Sequence, residues 1–233
     1  MNTVITGAST GFGKSIAAKF AAAGHRLFIS SRNAVKLYAA VEDLMNQFPD
    51  AVVKARPFDL SIKEEAKGFG QWILDQGAVP EVLVNNAGLF IPGTVESEEE
   101  GALEKMMDTN LYSAYHLTRT LLPSMVKQKS GLIVNICSVA SLKAYPNGGA
   151  YSISKHALAG FTKNLREEMK GKGIRVTAIY PGASYTESWS KSGIDRSRFM
   201  EAEDVATMIY GLTQLSPKAD VEEIIMRPQL GDI

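Results

Sequence analysis

Two short stretches of this 233-residue chain carry residue types that can do chemistry: Tyr151-Ser-Ile-Ser-Lys155, and the glycine-containing run from Thr6 to Gly13. Four residues apart on a helix, Tyr151 and Lys155 project from one face, so the ammonium can lie near the phenol oxygen. A free phenol, with a pKa near ~10, is a poor base at neutral pH, and a nearby positive charge favours the phenolate. The pair can therefore give and take a proton. In the other stretch, Gly7, Gly11 and Gly13 fall where a tight turn would aim backbone N–H groups and a helix N-terminus at a pyrophosphate. A nucleoside-triphosphate loop is missed by one residue, because its first glycine would have to stand at Ala8. That loop also wants a strand ending in aspartate for magnesium; Glu81-Val-Leu-Val-Asn85-Asn86 ends in asparagine, and the run ending at Asp59 contains Pro57. Lys14 then reads as a solvated helix residue.

Positioning these groups falls to a regular alternation of elements. Short runs rich in β-branched residues at 3–6, 26–30, 51–58, 81–85, 131–136, 174–180 and 222–226 read as seven strands, separated by stretches of helical periodicity. Residues 12–24 are alanine-rich, and 61–76 opens with Ser61 and Glu64 in capping-box spacing. Strand and helix in repetition imply parallel pairing, right-handed crossovers and helices on both faces: an α/β, Rossmann-type, doubly wound and mostly parallel sheet. Such sheets bind ligands beyond the carboxyl ends of their strands. One domain is expected over 1–233, since no repeat or linker divides the chain.

Composition narrows the partners. Lys+Arg and Asp+Glu number 25 each, so no net field draws the protein to nucleic acid or anionic lipid, and a small molecule is the expected partner. The single cysteine, Cys137, and the absence of a charged-then-apolar leader suggest a reducing, cytoplasmic setting. No apolar run approaches the ~20 residues that cross a bilayer. His25, His116 and His156 show no metal-ligand spacing, so no metal is expected. Cys137 should point away from the face that Ser138 presents, into the core. The acidic run at 96–100 suits a helix N-terminus better than a metal cluster.

Further motifs fall in order: Asn85-Asn86-Ala87-Gly88 after the fourth strand, Asn110 in a helix, Ser138 ending the fifth strand, then Tyr151 and Lys155. With Thr6-Gly7-x-x-x-Gly11-x-Gly13 this set resembles the short-chain dehydrogenase/reductase family, in its shorter, non-extended branch, from Thr6 to about Gly182. The resemblance implies a nicotinamide-dependent oxidoreductase acting on a small carbonyl/alcohol pair. Tyr151 would protonate the carbonyl oxygen or deprotonate the alcohol, Ser138 would hydrogen-bond the same oxygen, and Lys155 would also hold the nicotinamide ribose. Asn110 would hold a helix kink and a water linking Lys155 to solvent. The implied cofactor contacts are Gly7, Ser9, Thr10, Gly11, Phe12 and Gly13 in the turn, Asp59 and Leu60 at the adenine, and Asn86, Ala87 and Gly88 beside the adenosine ribose. Tyr151, Lys155, Pro181, Gly182 and Thr186 complete that set on the nicotinamide side. A homodimer or homotetramer through helices near 110–128 and 150–170 is implied as well.

Near the end of the second strand, ~20 positions after the glycine turn, an acid would accept from a ribose 2′-hydroxyl, whereas an arginine suits a 2′-phosphate. Ser31 and Arg32 stand there, which favours NADP(H) over NAD(H). Residues 183–200 read as a substrate lid, with Phe90, Ile91, Leu142, Tyr145, Tyr185 and Trp189 as candidate apolar lining. A 3-oxoacyl thioester met by Lys191, Arg196 and Arg198 is the alternative substrate, and a non-catalytic dinucleotide-binding regulator the alternative class. An extended-branch epimerase needs a larger carboxyl-terminal domain than the roughly 50 residues after Pro181 provide.

Overall fold

In the computed structural model, which describes residues 1–185 and 193–232, seven strands form one sheet. They are β1 (Asn2–Thr6), β2 (Arg26–Ser30), β3 (Val52–Ala55), β4 (Val82–Asn85), β5 (Gly131–Ile136), β6 (Ile174–Pro181) and β7 (Glu223–Met226). Their order is β3-β2-β1-β4-β5-β6-β7, and every pair is parallel. The crossovers are helical: α1 (Gly11–Ala22), α2 (Ala34–Gln47), α3 (Lys63–Asp75), α4 (Ala102–Met107), α5 (Ser113–Gln128), α6 (Gly149–Met169) and α7 (Ala202–Thr213).

Strand side chains alternate between two buried layers, which explains why the runs are apolar without interruption. Ile5, Leu27, Ile29, Val84 and Val134 join Ile16, Phe20 and Ile209 of α1 and α7 on one face. Val4, Phe28, Leu83 and Ile133 join Phe69, Leu117 and Leu165 of α3, α5 and α6 on the other. The order reverses at β1, whose neighbours are β2 and β4. Chain segments leaving β1 and β4 diverge there and open a crevice at the carboxyl edge.

Three local expectations need correction. The third strand stops at Ala55 instead of running to 58, because Pro57 has no N–H; Arg56 and Phe58 on either side still donate to the carbonyls of Ile29 and Ser31. The Ser61–Glu64 capping box does not form, and α3 starts at Lys63. Asp59 Oδ1 takes both the N–H (3.1 Å) and the hydroxyl (2.6 Å) of Ser61, a local turn that competes with the helix for that serine. The acidic run precedes α4 without entering it; Glu98 instead accepts the N–H of Ala150 at 3.1 Å in the first turn of α6, the helix that carries Tyr151. The macrodipole argument held, but for a different helix. No described helix is long and apolar enough to cross a membrane.

At the amino edge of the sheet, the ring of His25 lies within 2.8 Å of the Thr3 hydroxyl through Nδ1 and edge-on to Phe20. Burial and then the terminal ammonium lower its pKa, against the opposing pull of Glu81. The unfolded chain therefore binds more protons, so the contribution of His25 is present above the unfolded pKa and lost as pH falls through the folded one. Between about pH 8 and about pH 5 the urea midpoint of the wild type should fall further than that of His25→Gln, read by tryptophan fluorescence. Parallel declines would show that this histidine does not couple folding to pH.

Candidate active site

The crevice is a cavity of about 970 Å³ running over the ends of β1, β2, β4, β5 and β6. Its floor at β1 is backbone. Gly7 adopts φ +63° and Gly11 φ +54°, both in the left-handed region. Gly13 has no room for a side chain, since a Cβ there would lie 2.2 Å from the Gly7 carbonyl oxygen and 2.6 Å from Asn86 Nδ2. Thr10 precedes α1 with no side-chain cap, and no acid stands in the first turn. Helix N–H groups at the start of α1, approached by a turn with glycine at 7, 11 and 13, fit a phosphate of a dinucleotide. Lys14 turns away to pair with Asp43 at 2.5 Å.

The residues after β4 hold this turn in place. Asn86 Nδ2 donates to the carbonyls of Thr6 (2.9 Å) and Gly7 (3.1 Å), and the Thr6 hydroxyl accepts the N–H groups of Asn86 and Ala87, both at 2.9 Å. Ser9, Thr10, Phe12, Ala87 and Gly88 line the cavity, while Gly13 supports it from behind. At the end of β2, Ser31, Arg32 and, unforeseen in the sequence, Asn33 and Lys36 form the wall. Asn33 caps α2 by accepting the Lys36 N–H at 2.9 Å. The Arg32 side chain is 74% exposed, with Nη1 3.9 Å from Asp59 Oδ2. Asp59 and Leu60 are not part of the wall: Leu60 is packed in the core, and Asp59 is engaged with Ser61 and Arg32.

Beyond β5 the catalytic candidates converge. Lys155 is 4% exposed; its Nζ donates to the Ile136 carbonyl at 2.8 Å and lies 5.9 Å from the centroid of the Tyr151 ring. A buried ammonium is tolerable because a carbonyl acceptor and an aromatic ring face it. Ser138 caps a short 3₁₀ turn (Val139–Ser141), accepting the Ala140 N–H at 3.1 Å, and its own O–H donates to no described residue. Cys137 packs beside Ala178 and Tyr180, and burial, opposed by Lys155, pushes its thiol up to about 11. Asn110 occupies a π-helical turn (Asp108–Tyr112) between α4 and α5. From there its amide clamps Leu89, accepting the N–H (2.6 Å) and donating to the carbonyl (2.9 Å), and donates to Ser154 at 2.8 Å. Its Oδ1 stands beside Gly88, a lining residue, on which a Cβ would lie 3.4 Å from it and 3.5 Å from Lys155 Nζ.

A family model described as short chain dehydrogenase matches residues 1–197. The chain belongs to the short-chain dehydrogenase family. It is 32% identical over 226 residues to an uncharacterized oxidoreductase of Staphylococcus saprophyticus, covering 97% of this chain and 96% of the relative. It is 33% identical over 238 residues to a sepiapterin reductase of Chlorobaculum tepidum, covering 99% and 97%. Among solved structures, an alcohol dehydrogenase of Thermococcus sibiricus in complex with 5-hydroxy-NADP superposes with a TM-score of 0.89 at 26% identity, covering 98% and 96%. The protein is thus an oxidoreductase of the nicotinamide-dinucleotide-dependent type.

The substrate end of this short-chain dehydrogenase departs most from sequence reading. Phe90 and Tyr145 line the cavity, with Phe90 edge-on to Tyr151 at 4.9 Å; Ile91, Leu142 and Tyr185 do not line it. Pro181 and Gly182 do, and beyond them the Met200 N–H donates to the Ala183 carbonyl while the Met200 carbonyl accepts from the Tyr185 N–H. Thr186, Trp189 and Lys191 lie outside the described residues. Arg196 lies 3.1 Å from Glu201 and 4.8 Å from the Tyr185 ring in an exposed pairing. One wall residue that no motif signalled is Asp232, from the tail.

Because the position of Gly13 forbids a Cβ, Gly13→Ala must push the turn away from Asn86. It should lose ~1–3 kcal/mol of stability by overpacking and weaken dinucleotide binding as well, in urea unfolding and fluorescence titration. Unchanged stability and affinity would mean that the close approach at Gly7 is not required.

Proposed function

We propose that the protein is an NADP(H)-dependent reductase or dehydrogenase of a small carbonyl/alcohol pair, with Tyr151 as acid/base. The observation that carries this reading is the buried Lys155 ammonium, fixed on the Ile136 carbonyl behind the Tyr151 ring, with the uncommitted Ser138 hydroxyl on the same wall. A regulator that only binds a dinucleotide has no need of such a relay.

The turn from Gly7 to Phe12 would hold the pyrophosphate, Ser31 and Arg32 the adenosine ribose, Asn86 to Gly88 the middle of the cofactor, and Lys155, Pro181 and Gly182 its nicotinamide end. When bound, the cofactor supplies or accepts a hydride at its nicotinamide ring. Tyr151 gives its phenolic proton to the carbonyl oxygen in reduction and takes it back in oxidation. Ser138 donates a hydrogen bond to the same oxygen, preorganised by its cap on the 3₁₀ turn. Lys155 spends one N–H on Ile136 and keeps two for the ribose and the phenolate. Asn110 acts as a positioning residue through Leu89 and Ser154.

For the 2′-phosphate, Arg32 offers an exposed planar fork, and no carboxylate lines that end of the cavity. The long contact to Asp59 is weak enough to exchange for a phosphate. The 5-hydroxy-NADP of the Thermococcus sibiricus relative supports the same choice.

Tyr151→Phe should keep cofactor affinity while turnover falls ~10²–10⁴-fold, the usual worth of a general acid–base group, in initial-rate assays of carbonyl compounds with NADPH. Near wild-type rates would remove Tyr151 from the mechanism. Arg32→Ala should cost ~10–100-fold in NADPH affinity, one charge-assisted contact, with NADH affinity unmoved. A preference for NADPH that survives the substitution would place the specificity elsewhere.

A further inference from the structure

Four charged side chains line the described cavity: Arg32, Lys36, Lys155 and Asp232. Cations at the two ends of the dinucleotide crevice are accounted for by an anionic cofactor. The Asp232 carboxylate, although paired with Arg227, is not, since a phosphate gains no favourable contact from it. Its place follows from the path of the tail. The β6–β7 pairing extends to the Gly182 N–H, which donates to the carbonyl of Met226, the last residue of β7, at 2.7 Å, and beyond β7 the chain stays against the end of β6, where a Cβ on Gly182 would touch Pro228 at 3.2 Å. Gly231, at φ +85°, turns the chain through an N–H bond to the Pro228 carbonyl at 2.9 Å. Asp232 then reaches across the mouth, where Tyr145, in the loop before α6, donates its hydroxyl to Oδ2 at 2.9 Å. Arg227 binds the same Oδ2 from behind the wall. The other oxygen, Oδ1, takes no hydrogen bond from the described residues.

Resting on the proposed carbonyl/alcohol chemistry, we infer that Asp232 is a specificity-determining residue: its Oδ1 receives an ammonium or amino N–H group at the end of the substrate remote from the reacting carbonyl. Tyr145 and Arg227 fix the carboxylate, and burial, which favours protonation, is outweighed by their hydrogen bonds, which hold it ionised below the usual carboxylate range. Tyr145, Pro146 and Phe90 line the same cavity as Asp232 and Ser138. Those surfaces suit a flat or apolar body. The substrate class is therefore a carbonyl compound with an apolar middle and a hydrogen-bond-donating, cationic or amino-substituted far end. Carboxylate-tailed substrates are disfavoured, because they would set two anions face to face.

The test is equilibrium binding of three matched ketones to the protein–NADP⁺ complex by calorimetry: 1-phenylethanone with a para aminomethyl, methyl or carboxylate group. In the wild type the aminomethyl compound should bind at least ~10-fold tighter than the methyl one and the carboxylate most weakly, as one charge-assisted hydrogen bond would give. In Asp232→Asn the aminomethyl/methyl ratio should collapse toward one while NADP⁺ affinity is kept. A second variant, Tyr145→Phe, should reduce the ratio without abolishing it. Three results would overturn the inference: no measurable binding of the aminomethyl ketone, a wild-type ratio near one, or a ratio that persists in Asp232→Asn. Turnover of the same ketones with NADPH is measured separately. Selective binding without turnover would count against the proposed reaction and leave the role of Asp232 standing.

Discussion

Everything at the carboxyl edge of the sheet depends on how the ends of β1 and β4 are tied together. Two parallel strands whose following segments depart to opposite faces would otherwise leave their last backbone groups facing an open crevice without partners. The Thr6 hydroxyl takes two N–H groups from the segment after β4, and the Asn86 amide returns two bonds to the segment after β1. This clamp puts Asn86 Nδ2 so near α1 that position 13 has no space for a Cβ. The clamp thus fixes the glycine turn and the start of α1 and, with the Gly7 carbonyl, sets the demand for glycine at position 13.

On the other side of β4 the sheet is braced by side chains. Asn85 donates to Thr118 and Asn135, and Asn135 donates to Thr162, so a buried amide ladder ties α5, β4, β5 and α6 in register. Its importance is positional, because α6 carries Tyr151 and Lys155 and must keep its distance from the end of β5. Glu98 at the first turn of α6 and Asn110 through Ser154 fix the same helix at two more points. An ammonium held at 2.8 Å from the Ile136 carbonyl tolerates little drift of that helix. The polar core is the means by which α6 and its Lys155–Ile136 contact are kept in place.

The parts of this architecture that follow local rules were readable. The bounds of β2 and β5 coincide with their β-branched runs, and the crossover pattern dictated the parallel order. Misreadings arose where one residue had two possible partners. Ser61 has cap spacing but is held by Asp59, Glu98 precedes α4 but serves α6, and the 51–58 run continues past Ala55 into a proline that cannot donate. At the site, Gly7, Ser138, Tyr151 and Lys155 came together because their spacing is tied to strand ends. Lys36 and Asp232 had no such spacing, and Asn85, though part of the motif after β4, finds its partner Asn135 50 residues away, as Asp232 finds Tyr145 87 residues away.

This contrast divides the cavity into two kinds of surface. The cofactor half is mostly backbone, namely glycine turns and a helix N-terminus, and its shape cannot change without moving the sheet. The substrate half consists of side chains on the loop before α6, the segment after β4 and the tail. Tyr145, Phe90 and Asp232 project from segments whose replacement would leave all seven strands and the Thr6–Asn86 clamp intact. Ser138, Tyr151 and Lys155 are held by the end of β5 and by α6, which the buried ladder fixes, whereas the tail is held by the Gly182 N–H just past β6 and by Tyr145 in the loop before α6, neither of which takes part in the Lys155–Ile136 contact.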